Sequence, residues 1–166
     1  MLIRNETRND IAAIRTIVTE AMKLLPQASG TEADIVDRLR DDDGLILSLL
    51  AEDEGQPVGY LAASMGRLGA AQNWGLIGPL AVTPSRHGEG IGSALMVEAI
   101  HRLRPFCKGA VLVGEPGYYG RFGFRAYPGL RVGDCPPQYI LALPFDAEEP
   151  AGELIHPAAF GLHQEG

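Results

Sequence analysis

The chain has 166 residues, 46% hydrophobic and 21% charged, with a formal net charge of −7. That length and balance fit one soluble domain with its own core, and exclude a disordered or fibrous chain. The acidic balance speaks against a nucleic-acid surface, no apolar run is long enough to span a bilayer, and two cysteines without a C-x-x-C pair give no disulfide framework.

In chain order, residues 2–5 read as a first strand. Thr7 or Asn9 caps a helix with Ile11, Ile14, Val18, Ala21, Met22 and Leu25 on one face, broken by residues 26–30. Thr31 opens a shorter helix with Ile35, Val36 and Leu39 inward, ended by the acidic turn at 41–44. Residues 46–52 and 58–64 are strands joined by a hairpin turn over 53–57, and residues 67–73 are a polar connection. The strand over 74–82 contains Gly78-Pro79. Proline cannot donate a ladder hydrogen bond, so a bulge or splay is expected there. Residues 90–103 form a helix with Ile91, Leu95, Ala99 and Leu103 stacked at four-residue spacing. A buried strand over 110–114, a short helix over 118–122 and a late strand over 138–144 follow. Residues 1–145 read as a single domain, and 146–166, rich in Gly, Ala, Pro and acids, as a packed or extended tail. The N-terminus has no signal-peptide character and the cysteines suggest a reducing compartment, so a cytoplasmic location is expected. His156 and His163 lack ligand spacing, and no metal is expected.

The most informative stretch is 82–96, Val-Thr-Pro-Ser-Arg-His-Gly-Glu-Gly-Ile-Gly-Ser-Ala-Leu-Met, between the 74–82 strand and the next helix. Glycines at 88, 90 and 92 remove side-chain bulk and permit positive φ. The first N–H groups of a helix have no internal partner and sit at the positive end of its dipole, so this turn is a phosphate cradle. A nucleotide P-loop needs Gly-Lys followed by Ser or Thr, and no Lys lies between Lys23 and Lys108. A Rossmann fingerprint needs a third glycine where Ser93 stands, and an acid about twenty residues on. The segment instead resembles the acyl-CoA loop of the GNAT superfamily of N-acetyltransferases, Gln/Arg-x-x-Gly-x-Gly/Ala. His87 takes the Gln/Arg position, Gly90 and Gly92 the glycines, and Arg86 stands beside them as a substitute charge. A second match is Tyr119-Gly120-Arg121-Phe122-Gly123-Phe124, similar to the superfamily's Tyr, three residues, Gly-Phe. Together they cover residues 76–124, and with Gly-Pro-Leu-Ala-Val at 78–82 they look like the YhbS-like bacterial branch.

The resemblance implies an α/β (α+β) fold: a mixed, twisted central sheet with helices on both faces and a bulged strand splayed for CoA. It implies acetyl-CoA as co-substrate and direct attack by a primary amine of a small molecule or protein. By resemblance Leu80, Ala81 and Val82 run along the pantetheine arm, and the amides of His87, Gly88, Glu89, Gly90, Ile91, Gly92 and Ser93 hold the diphosphate. Tyr119 is the candidate general acid, because a phenol with a pKa of about 10 is protonated at neutral pH; Tyr118 is the alternative one residue away. Glu115, at the end of a strand facing the cleft, is the candidate base, since residues 74–82 hold no carboxylate. Arg121 is either a phosphate contact or the partner of an acid. The rival from another class is a non-catalytic acyl-CoA-binding module, and a longer acyl donor is a third reading. No nucleic acid or membrane partner is expected, and an exposed sheet edge or C-terminal strand would support a homodimer.

Overall fold

Apolar residues at alternate positions make strands, and apolar residues every third or fourth position make helices that cover them. The computed structural model describes residues 1–26, 28–146 and 148–164. Ala147, Glu165 and Gly166 of the expected tail, and the side chain of His163, lie outside the described part. Among the described residues one sheet of nine strands runs in the order β1-β2-β3-β4-β5-β8-β6, with β9 attached to β3 and β7 attached to β9. The long strands are β1 (Leu2–Asn5), β2 (Leu45–Asp53), β3 (Gln56–Leu68), β4 (Ala71–Val82), β5 (Gly109–Val113) and β8 (Ile140–Pro144). Short strands are β6 (Arg125–Ala126), β7 (Leu130–Arg131) and β9 (Gly152–Ile155). The β4–β5 pair is parallel, as is β7–β9, and the other pairs are antiparallel. The sheet is therefore mixed, as expected.

Neighbouring residues of one strand face opposite layers, and the core divides accordingly. Leu50, Tyr60, Ala62 and Ala81 meet α1 (Ile11–Met22) and α2 (Glu32–Asp41) on one face. Leu49, Leu61 and Ala63 meet α3 (Ile91–Leu103) on the other. Ile91, Leu95, Ala99 and Leu103 of α3 are all buried. Each large apolar side chain so buried is worth roughly 1.5–3 kcal/mol. This stripe fixes where α3 begins, and so where the glycine turn must lie.

Several expected boundaries shift. The first helix ends at Met22, and Leu25 beyond it is 42% exposed. The turn over 53–57 contracts to Glu54-Gly55, both at positive φ (51° and 77°), the two-residue form whose twist suits a hairpin. Residues 67–73 are not a loose connection: β3 and β4 run through them to a tight turn at 69–70. Buried Ser64, Gly66 and Leu68 alternate there with exposed Met65 and Arg67, a strand pattern whose polar half resembles a loop. Within residues 146–166, β9 pairs with β3 at Arg67↔Ile155 and Leu68↔Leu154, and Leu154 and Ala159 are buried. Residues Gly152–Ile155 of the expected tail thus form a strand of the sheet.

The entrance to α1 is an ion pair. Arg4 grips Asp10 with two N–H groups at 2.8 and 3.0 Å, and the Thr7 N–H and hydroxyl donate to the same carboxylate. The Arg4 hydrogen bonds hold Asp10 well below the usual carboxylate range. A depressed native pKa contributes stability that is complete above the unfolded value, near 4, and is lost as pH falls through the native one. Asp10→Asn should therefore cost about 2 kcal/mol at neutral pH and progressively less in acid, read by urea unfolding. Parallel stability curves for the two proteins would remove this account.

Candidate active site

Four segments converge at the C-terminal ends of β4 and β5. The first is the bulge. Between the pairs Leu61↔Leu80 and Ala63↔Ile77 the ladder advances two residues along β3 and three along β4. The additional residue falls at Gly78-Pro79, joined by a cis peptide bond. The bulge lies where the missing proline donor requires a break.

The second is the gap. β4 and β5 pair only at Trp74↔Gly109, Gly75↔Ala110 and Leu76↔Val111, while β5 stays paired with β8 as far as Val113↔Ile140. Thr83 donates its N–H to Val58 at 2.9 Å, and Ala81 stands opposite Tyr60. In an antiparallel ladder alternate residues face alternate neighbours, so the main-chain groups of Leu80 and Val82 face away from β3, into the gap. The Val82 carbonyl meets the His87 ring at 2.9 Å, and the Leu80 groups and the Val82 N–H are left calling for a partner.

The third is the turn. After Val82 come a single 3-10 turn, Pro84–Arg86, and then Gly88 and Gly90 at φ of 82° and 83°. A Cβ at either position would meet nothing within 4 Å, so the turn is open at both glycines. Gly90 is the left-handed cap of α3, and its carbonyl accepts the N–H of Ala94 at 3.0 Å. The N–H groups of Ile91, Gly92 and Ser93 precede that first helical bond and remain orphans at the positive end of the dipole. Gly92 differs from the other two: it lies inside α3, and a Cβ there would stand 2.9 Å from the Tyr118 hydroxyl. His87 turns its Nε2 to the Val82 carbonyl at 2.9 Å, so the ring braces the turn. Arg86 is engaged as well, with Glu89 at 2.9 and 3.0 Å and Asp53 at 2.7 Å. The charge expected to stand in at His87 is thus paired with two acids.

The fourth is α4 (Pro116–Tyr119), which follows β5 directly. Glu115 is its exposed N-cap residue; its carbonyl accepts the N–H groups of Tyr118 and Tyr119, and its carboxylate does not cap the helix. Tyr118 and Tyr119 meet edge-on with ring centroids 4.9 Å apart, and they diverge in surroundings. Tyr119 packs against the α3-side core and lies edge-on to Phe124 at 6.3 Å. Burial pushes its phenol up to about 12. Tyr118 reaches over Gly92 instead, and Arg121 lies over its ring at 4.5 Å. Arg121 also donates its Nε–H to the Tyr118 carbonyl, so it meets a ring rather than an acid.

The structure thus brings Leu80, Val82 and the Tyr118 hydroxyl together around Gly92 at the start of α3, with Tyr119 packed beside Tyr118 against the core. The main chain of Ala81 faces β3, opposite Tyr60, and its side chain is buried under α1. Asp53 was not legible as part of this region, because it reaches the turn from the end of β2, distant in sequence. The only available signal was the lone Arg86 next to the glycines.

With the geometry in place, three comparisons bear on the chain. The profile of the acetyltransferase (GNAT) family matches residues 11–124. The uncharacterized N-acetyltransferase YhbS of Escherichia coli strain K12 is 37% identical over 128 residues, covering 75% of this chain and 74% of that protein. A GNAT family acetyltransferase from Brucella melitensis, solved in complex with acetyl-CoA, is 38% identical with a TM-score of 0.84, covering 96% of this chain and 97% of that one. Escherichia coli YhbS, solved in complex with CoA, has a TM-score of 0.86 at 27% identity, covering 96% of this chain and 91% of that one. No helix among the described residues is long and apolar enough to cross a membrane. The glycine turn, the bulged strand and the Tyr-Gly-Arg-Phe-Gly-Phe helix therefore stand in a chain that belongs to the acetyltransferase (GNAT) family.

Proposed function

We propose that this protein is an acetyl-CoA-dependent N-acetyltransferase that moves an acetyl group to a primary amine by direct attack. The observation that carries this reading is the early parting of β4 and β5 beside the open glycine turn. The fit to CoA is chemical. Orphan amides at the start of α3 match a diphosphate, and the outward-facing groups of Leu80 and the Val82 N–H match the amides of a pantetheine arm laid in as an added strand. A donor on the bulged strand aimed at a developing oxyanion is typically worth about 3–4 kcal/mol. The solved relatives that hold acetyl-CoA or CoA support the same ligand.

In this reading Tyr119 keeps its proton at neutral pH and gives it to the departing thiolate. The acceptor must lose a proton, and for an amine with a pKa near 10.4 that costs roughly 4–5 kcal/mol at pH 7. Glu115, at the mouth of the gap, takes that proton directly or through water. Glu115→Gln should then slow transfer several-fold at pH 7 and much less at pH 9, where more of the amine is already neutral. An equal loss at both pH values would remove Glu115 as the base.

The decisive test is calorimetry with CoA and acetyl-CoA, followed by thiol release across a panel of amines. Saturable binding with release on one acceptor class supports the proposal, and absent binding at millimolar CoA overturns it. One observation favours a second reading, a non-catalytic acyl-CoA-binding module: β4 carries no Asp or Glu. Tight CoA binding without release on any amine would select it.

A further inference from the structure

The diphosphate turn of this chain contains an acid. Glu89 stands between Gly88 and Gly90, beside the orphan N–H groups of α3. A carboxylate at a helix N-terminus is attracted by those same donors and by the dipole. Left free, Glu89 would compete with a diphosphate for the cradle and repel it. In the structure it is not free. The Nε of Arg86 holds both its oxygens, at 2.9 and 3.0 Å, and the other end of the same guanidinium is anchored to Asp53 at 2.7 Å. Asp53 is the last residue of β2, so the anchor lies on the sheet rather than on the turn. The guanidinium is thus fixed from outside and draws the acid with it.

We propose that Arg86, anchored by Asp53, is a positioning residue that holds Glu89 out of the anion cradle and neutralises it. This rests on the reading of the turn as the CoA diphosphate site. The alternative role for Arg86 is to abandon both acids and bind the phosphate itself, and the two roles predict opposite outcomes in a double variant. The experiment is calorimetry of CoA with wild type, Arg86→Gln, Glu89→Gln and the double variant. Arg86→Gln should weaken CoA binding about tenfold, the scale of one uncompensated like charge at an anion site. Glu89→Gln added to it should restore binding to within about threefold of wild type, because the competing acid is gone. Asp53→Asn should give a weaker version of the Arg86→Gln loss. The double variant lacks the same ion pairs, so its recovery also shows that the single variant's loss is not misfolding. Arg86→Gln that binds CoA like wild type, or a double variant that keeps the full loss, overturns the proposal while the cofactor site stands. A wild type that binds no CoA removes the cofactor site, and this inference with it.

Discussion

Tyr119→Phe is expected to lower kcat by about 10²–10⁴-fold while leaving the Kd for CoA nearly unchanged. The substitution removes one oxygen and keeps the ring. That ring carries the edge contacts to Tyr118 and Phe124 and packs against the α3-side core, so the fold should be unaffected. The hydroxyl has no hydrogen-bond partner among the described residues, so its loss strands no buried group. The effect should then appear in the chemical step alone. Burial, which raises the phenol to about 12, keeps it protonated across the range in which an amine acceptor becomes neutral. The acid and the nucleophile are therefore available together at mildly alkaline pH. Tyr118→Phe is the control. Its oxygen sits over Gly92 at the start of α3, so its loss should appear in CoA affinity rather than in kcat. The assay is thiol release with any amine that the wild type acetylates. An unchanged kcat in Tyr119→Phe would dismiss Tyr119 as the acid.

How much of this was readable without coordinates depended on whether the signal was local. The glycine turn, the α3 stripe and the proline-induced bulge were legible, because each is set by residues within about one helical turn or one strand. Leu80 and Val82 were assigned by resemblance, and the ladder alternation independently turns their main-chain groups into the gap. Ala81, included with them, turns its main chain to Tyr60 of β3 by the same alternation, and its side chain packs under α1. The 67–73 segment was misread because half of a half-buried strand is polar, and the alternation emerges only when Met65 and Arg67 are read with their neighbours. β9 was missed for another reason: its partners are Arg67, Leu68 and the short β7, and no local pattern announces a pairing made across the chain. The Asp53–Arg86 bridge belongs to the same class. Long-range ion pairs carry no period, so the turn's anchor emerged only from the fold.

Gly90→Glu is expected to weaken CoA binding by about 100-fold or more, and the reasons separate cleanly. Gly90 holds φ at 83° as the cap of α3, a conformation that costs an L-residue about 1–2 kcal/mol. That cost falls on stability and predicts a drop in Tm of a few degrees, roughly 2–4 °C per kcal/mol for a chain of this size. A Cβ at 90 meets no protein atom within 4 Å, so nothing in the fold must move to admit it. The added side chain therefore extends into open space at the turn assigned to the diphosphate. The added carboxylate also brings a second negative charge beside Glu89, and Arg86 is already committed to Glu89 and Asp53. Gly90→Ala separates the two components: it bears the same backbone strain, adds only a methyl group and no charge, and should lose much less affinity than Gly90→Glu. Calorimetry of CoA against both variants, with thermal unfolding alongside, measures each component. If Gly90→Glu still binds CoA with wild-type affinity, the anion does not sit on this turn, and the assignment of residues 87–93 to the diphosphate fails.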